Sequence, residues 1–240
     1  MGSSTGMDEL AVMGQLAQEV RMAPNRSLSQ VIYASLRRSI LRGEIPSGRR
    51  LVEERLASLL GASRTPVREA LQRLTQEDLL QKLRYGGYEV RRITTKEVEE
   101  IFGIRSVLES YAAVLATRNM DQEVMEELER IIRISQEALD SHDLESFVRL
   151  NTDFHDRLYR ASKSDRLYRM IQELRDHFYR FRRIILSKGR MPSISIKDHR
   201  AMIKAMQRRD EKKVERLVRQ HILRGMKVVL REMKRGGISS

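Results

Sequence analysis

All five histidines of this 240-residue chain, His142, His155, His177, His199 and His221, lie in its second half, and three of them stand where an apolar residue is due. In the helical period of residues 143–161 the inward positions run Leu144, Phe147, Val148, Asn151, Phe154, His155, Leu158, so Asn151 and His155 form an i, i+4 pair on the core face. His199 heads the stripe Met202, Ile203, Met206, and His221 continues Val214, Leu217, Val218. An unpaired polar group in a core costs about 1–3 kcal/mol. A single core histidine normally meets that cost with a hydrogen bond. Three from separate helices, one with a same-face Asn, suit a shared cation: three imidazoles and an oxygen ligand match zinc, nickel or another first-row divalent ion, with positions left open for water or a small molecule.

Two more residues bear on the same chemistry. Arg105 interrupts the stripe Val98, Ile101, Leu108, Ala112, and a buried guanidinium needs a partner. That partner is either a carboxylate effector or Glu109, four residues on. His177, beside Leu174, Phe178 and Phe181, either lines the cavity or packs.

A different chemistry sits in GASRTPVREALQRL, residues 61–74. Val67, Ala70, Leu71 and Leu74 make an apolar stripe, which leaves Arg64, Arg68 and Gln72 on a flank at i, i+4, i+8. Pro66 suits the first helical position, with Thr65 before it as N-cap. Two guanidinium forks at the front of a helix match guanine O6 and N7 or phosphate oxygens in a major groove. The alternative is that they only solvate an exposed face.

The elements that must position these groups are mostly helices. From Ser27, the residues Val31, Ile32, Ser35, Leu36 and Ile40 mark a first helix, ended by Gly43, Pro46 and Gly48. Leu51 to Leu60 is a second, closed by Gly61, and the arginine-bearing helix is the third. LLQKLRY, Gly86-Gly87 and YEVRRI then read as a β-hairpin whose glycine turn brings backbone, with Arg84, Arg91 and Arg92 near by, close to a minor groove or to phosphates. Three helices and a hairpin make a winged helix-turn-helix. Thr94 and Glu97 form a capping box, after which six amphipathic helices are predicted near 95–118, 121–140, 143–161, 165–187, 196–208 and 211–234.

Composition agrees. The formal net charge is +13, which favours a polyanionic partner, and positive charge is about twice as dense over residues 26–93 as over 94–240. The absence of Cys removes disulfides, thiolate metal sites and cysteine nucleophiles. No apolar run reaches the roughly 18 residues of a membrane span, and residues 1–26 lack the apolar core of a secretion signal. A cytoplasmic protein is expected.

LVEERLASLLGASRTPVREALQRLTQEDLL followed by RYGGYEV resembles the DNA-binding half of the GntR family of bacterial transcription regulators, over about residues 27–92. The resemblance implies that Arg64 and Arg68 read bases, that Ser63 and Thr65 contact phosphate, and that the Gly86-Gly87 tip enters the minor groove. Many relatives carry Arg-Glu where this chain has Glu54-Arg55, so a further DNA-contacting arginine, Arg55, is displaced by one position. RSVLES, NTDFHDRLY, DHRAMIKAM and RQHI similarly resemble the FCD effector-binding domain of the FadR-like subfamily, over roughly 95–234. That implies metal ligands at Asn151, His155, His199 and His221 and an organic-acid effector near Arg105. Asn151 stands where such proteins often have aspartate: a neutral amide binds a cation less strongly, and the less neutralised site pulls harder on an anion.

The expected architecture is therefore mainly α: a flexible leader (1–26), a winged helix-turn-helix (27–93), an all-α bundle for effector binding and dimerisation (94–234) and a flexible tail (235–240). The expected function is effector-controlled regulation of transcription by a homodimer on a two-fold DNA operator, without enzyme activity. Two alternatives stand beside it, a constitutive architectural DNA binder and a metal-dependent hydrolase with a basic appendage.

Overall fold

In this computed structural model the described residues are 14–20, 22, 27–176 and 179–236, with backbone alone described at 176, 179 and 180. The chain divides into two compact units, one running to Thr94 and the other starting at Thr95.

The first unit contains helix α1 (residues 14–20), α2 (Leu28–Leu41), strand β1 (Arg50–Leu51), α3 (Glu53–Leu60), α4 (Arg64–Gln76), β2 (Leu80–Lys82) and β3 (Tyr88–Val90). The strands form an antiparallel sheet in the order β1-β3-β2, with Leu51 opposite Tyr88 and Leu80 opposite Val90. Ile32 and Leu36 from α2, Leu56 and Leu60 from α3, and Val67, Leu71 and Leu74 from α4 are buried together under Tyr88 and Val90. The α3–α4 turn closes on Gly61 in the left-handed region at φ 61°. This is the three-helix and wing arrangement expected, extended by β1: two residues are too few for a period-2 signal, and their partner lies 37 positions away.

Two expectations change here. The expected leader is in part ordered structure, because residues 14–20 form α1 and bury Leu16, Ala17 and Val20 in the same core. Glu19 on its outer side accepts hydrogen bonds from Ser35 and Arg38. The other residues of 1–26 lie outside the described residues, Met22 excepted, as do 237–240; Arg235, placed in the expected tail, is the C-cap of the last helix. The recognition helix also starts two residues early, at Arg64 with Ser63 as N-cap. Pro66 is thus third in the helix, where its missing N–H still costs nothing, since first-turn amides have no intrahelical acceptor.

The second unit is helical throughout: α5 (Thr95–Asn119), α6 (Gln122–Asp140), α7 (Leu144–Arg160), α8 (Asp165–Asp176), α9 (Tyr179–Leu186), α10 (Met191–Gln207) and α11 (Glu211–Lys234). Asp121, Asp143 and Asp210 cap α6, α7 and α11 by accepting from the N–H three residues on. α8 and α9 flank residues 177–178, which lie outside the described residues, within the stretch expected as one helix 165–187. α10 begins at Met191 rather than near 196, because Pro192 sits in its first turn, where proline is compatible with a helix. The long helices α5 and α11 form the most extensive pair. Gly225 on α11 permits their close approach: a Cβ there would lie 3.2 Å from Ile185 and 3.6 Å from Phe102.

Candidate DNA-reading face and ligand cavity

On α4 the buried stripe Val67, Ala70, Leu71, Leu74 turns Arg64 and Arg68 outward. Their side chains are 59% and 51% exposed, and both approach one carboxylate, Glu53 at the start of α3: Arg68 Nε lies 3.1 Å and Arg64 Nη2 3.7 Å from Glu53 Oε2. A bond through Nε leaves the two Nη groups of Arg68 pointing away from its own unit, as a bidentate contact to a base or phosphate requires. Glu53 also faces Tyr88, whose phenol is pushed up in pKa by burial and by the Glu53 charge. Ser63 and Thr65 are exposed beside Arg64. Arg55 is exposed too, on the first turn of α3.

The wing tip depends on glycine. Gly86 and Gly87 both have φ above 80°, and a Cβ on Gly87 would lie 3.0 Å from the Leu51 carbonyl oxygen. Arg50 donates from Nη2 to the Gly86 carbonyl at 3.0 Å, and Tyr85 is 87% exposed at the tip. Sequence reasoning passed over Glu53, Arg50 and Tyr85. Only the i, i+3 distance of Glu53 from the helix signal at Leu56 hinted at a role, and the contact across to α4 is tertiary.

In the second unit α7, α10 and α11 bring His155, His199 and His221 together, with one ring nitrogen of each within 4.8 Å of the others. His155 and His199 are buried and His221 is half-buried. Phe154 stacks on the His199 ring at 3.9 Å. The orientation of two of the rings is set by hydrogen bonds. Tyr159 gives its hydroxyl hydrogen to Glu109 Oε2 at 2.6 Å, so toward His155 Nδ1, at 3.0 Å, it accepts. His221 Nδ1 donates to Asp198 Oδ2 at 3.0 Å, a carboxylate also held by Arg224. Both rings then present an unprotonated Nε2, which is how ligand histidines are ordinarily oriented. His199 Nε2 is buried with no hydrogen-bond partner. Burial first, then the neighbouring imidazoles, hold the pKa values of His155 and His199 well below the usual histidine range, so both are neutral and able to bind a cation.

These residues fit a divalent ion. Tetrahedral zinc with bonds of about 2.0–2.1 Å needs its nitrogens roughly 3.3 Å apart, so the rings have at most about 1.5 Å to close. Asn151 is buried on α7, with Nδ2 donating to Ser195 Oγ at 3.0 Å. Its carbonyl oxygen is the atom available to a cation.

Asn151, His155 and His221 line a cavity of about 60 Å³, together with Arg105, Arg175 and Arg182. Arg105 is paired internally, Nε to Glu109 Oε1 at 2.7 Å. Burial opposes ionisation of Glu109, but Arg105, Arg175 and the Tyr159 hydroxyl outweigh it and hold the carboxyl below its usual range. Arg105 thus reaches His155 through Glu109 and Tyr159. Arg175 pairs with Asp156, and Arg182 donates from Nη1 to Thr152 Oγ1 at 2.6 Å. Neither Arg175 nor Arg182 stood out in the sequence: in RDHFYRFRR an arginine reads as solvated face. His177 lies outside the described residues.

The pattern "Bacterial regulatory proteins, gntR family" matches residues 28–90, and "FCD domain" matches residues 100–224. The chain is 28% identical to "HTH-type transcriptional repressor RspR" of Escherichia coli, over 85% of this chain and 90% of that one. It is 31% identical to "Uncharacterized HTH-type transcriptional regulator in unstable DNA locus" of Streptomyces ambofaciens, over 80% of each. Among solved structures, E. coli McbR/YncC aligns with a TM-score of 0.68 over 87% of this chain and 99% of that chain, at 24% identity, a likeness of fold.

Proposed function

The chain belongs to the GntR family of bacterial regulatory proteins, in the form that carries an FCD domain, and is a DNA-binding transcription regulator; from that premise we propose that a small carboxylate effector, bound beside a divalent metal in the second unit, controls its affinity for DNA. The carrying observation is the convergence of His155, His199 and His221 on one cavity, with His199 Nε2 buried and unpartnered. Asn151 completes the ligand set, and zinc or nickel suits three neutral imidazoles and an amide oxygen. Arg105 and, from its place in the sequence, His177 serve the effector.

On the DNA side Arg64 and Arg68 read base edges in the major groove. Ser63, Thr65 and Arg55 contact phosphates, and the Gly86-Gly87 tip lies in the adjacent minor groove. Two copies read a two-fold operator, and the protein acts as a repressor, as RspR is named. A row of exposed apolar side chains on α5, Ile104, Val107 and Tyr111 at i, i+3, i+7, supplies a face for the homodimer. No helix among the described residues is long and apolar enough to cross a membrane, and the cytoplasm is the proposed compartment. Hydrolysis is disfavoured because no carboxylate lines the cavity to act as general base.

The test is operator affinity, by fluorescence anisotropy, with zinc or nickel and a panel of small acids. A coupling of about 1–3 kcal/mol between effector and operator is expected. Zinc should also raise the melting temperature, by the equivalent of about 2.7 kcal/mol at a hundredfold excess over Kd, and His155→Ala or His221→Ala should abolish that rise. If no acid changes operator affinity and zinc leaves melting unmoved, the constitutive binder is the correct reading.

A further inference from the structure

Three guanidinium groups stand in the cavity wall, and their counter-ions do not match them in number. Arg105 is held by Glu109 and Arg175 by Asp156. Among the described residues Arg182 pairs with no carboxylate: its printed partner is the neutral Thr152 hydroxyl. Asp153, the acidic group nearest in the chain, is exposed and outside the wall. Burial, then the facing guanidiniums of Arg175 and Arg105, push the Arg182 pKa down to about 9. Guanidinium groups keep their proton under such pressure, so the shift registers a cation short of negative partners. Arg175, 6% exposed, has its Nε buried and unpartnered. The remaining polar wall is neutral, since Asn151 is an amide bonded to Ser195 and His155 is uncharged. The wall therefore holds one positive charge too many, and three once a divalent ion is present.

An uncompensated charge in a low-dielectric pocket is costly until something neutralises it. The space available limits what that can be. At roughly 10–15 Å³ per water-sized probe, a cavity of about 60 Å³ admits a molecule of only about four to seven heavy atoms.

We propose that this cavity is a receptor for a compact oxyanion carrying two negative charges, held at one end by Arg182 and the free Nε of Arg175 and at the other by the histidine cluster. This rests on the effector reading above and sharpens it from an acid to a small dianion. The selecting residue is Arg182, because Arg105 and Arg175 already own carboxylates. A singly charged acid leaves part of the surplus in place whichever end it occupies. Dicarboxylates and tetrahedral inorganic anions share the required chemistry, and the titration separates them.

The full-length protein, metal-stripped and zinc-loaded, is titrated calorimetrically with malonate, its monoamide malonamate, sulfate and acetate in a chloride buffer. Malonate and malonamate have nearly the same size and differ by one charge. Malonate should bind at least tenfold more tightly than malonamate or acetate in both forms, with sulfate between if shape also counts. Arg182→Gln should erase the preference and Arg182→Lys retain part of it. Arg182→Gln should also melt no lower than the wild type without anion, because it removes a charge that nothing offsets. Equal affinity for malonate and malonamate, or no binding of any probe, overturns the proposal. A charge preference that persists while zinc changes nothing leaves the dianion receptor standing and sinks the metal part of the effector reading.

Discussion

The two units use arginine in opposite ways. On α4, Arg64 and Arg68 are more than half exposed and share one carboxylate, Glu53. In the cavity, Arg105 and Arg175 are buried and each has its own carboxylate, with Glu109 only 1% exposed between Arg105 and Tyr159. Exposed pairs are screened by salt and water and are worth about 0–1 kcal/mol. That suits a polyanion, which must displace the tether without paying for it twice. Buried pairs are strong while complete and expensive when broken. That suits a small ligand, because the protein holds the site open with charges it cannot relax. The same functional group thus serves a long charged surface when loosely held and a small molecule when locked.

The largest effect should come from cutting a locked pair. Glu109→Gln removes the carboxylate that Arg105 and Tyr159 share, and leaves a buried guanidinium uncompensated. It should lower unfolding free energy by about 3–5 kcal/mol, read by urea denaturation. Glu53→Gln should cost at most about 1 kcal/mol in the same measurement. If the two variants lose equal stability, the contrast between locked and loose arginines is wrong.

Acid should single out the same unit. His155 and His199 have folded pKa values well below the usual range, through burial and then the other imidazoles. They stay neutral in the fold while the unfolded chain takes up protons below about pH 6.5. Their contribution is complete above that pH and lost as pH falls toward the folded values, by up to about 1.4 kcal/mol per histidine per pH unit. Metal-free protein moved from pH 7 to pH 5.5 should therefore lose hydrogen-exchange protection in α7, α10 and α11. Peptides from α2 to α4, which contain no histidine, should keep theirs once intrinsic exchange rates are corrected. Uniform loss across both units would deny the cavity any special sensitivity.

What could be read from the sequence divides along the same line. The outward turn of Arg64 and Arg68 was legible because four apolar residues fix the phase of one helix, and the wing because Gly86-Gly87 interrupts two short apolar runs. The histidine trio was legible for the converse reason: each polar ring breaks an apolar stripe, and a break in a regular pattern is visible without knowing the fold. Arg175 and Arg182 break nothing. They sit in an arginine-rich stretch where a buried guanidinium and a solvated one have the same local signature, and only tertiary packing tells them apart. Glu53 was hidden likewise, since its bonds reach α4 fifteen residues on. Arg105 left two partners open, an effector or Glu109; the fold supplies Glu109 and places both in reach of the cavity. Helix α1 escaped because seven residues carry too few turns for a period to emerge.

The finest test concerns the loose end of the contrast. Arg68→Ala should weaken operator binding by about 1–3 kcal/mol and relax preference at one base pair. Glu53→Gln should act more subtly and in two directions. Removing a negative charge from the face that meets phosphate should raise affinity for scrambled DNA, because non-specific binding is set by net charge at the interface. Discrimination should fall, because Arg68 loses the bond from Nε that fixes the plane of its fork, and a guanidinium free to rotate satisfies a phosphate as readily as a guanine edge. The measurement is the ratio of operator to scrambled-site affinity at fixed salt for wild type, Glu53→Gln and Arg68→Ala. A ratio unchanged by Glu53→Gln would make Glu53 a passive counter-ion; a fall of severalfold, with tighter binding to scrambled DNA, would show that even a loosely held arginine is aimed.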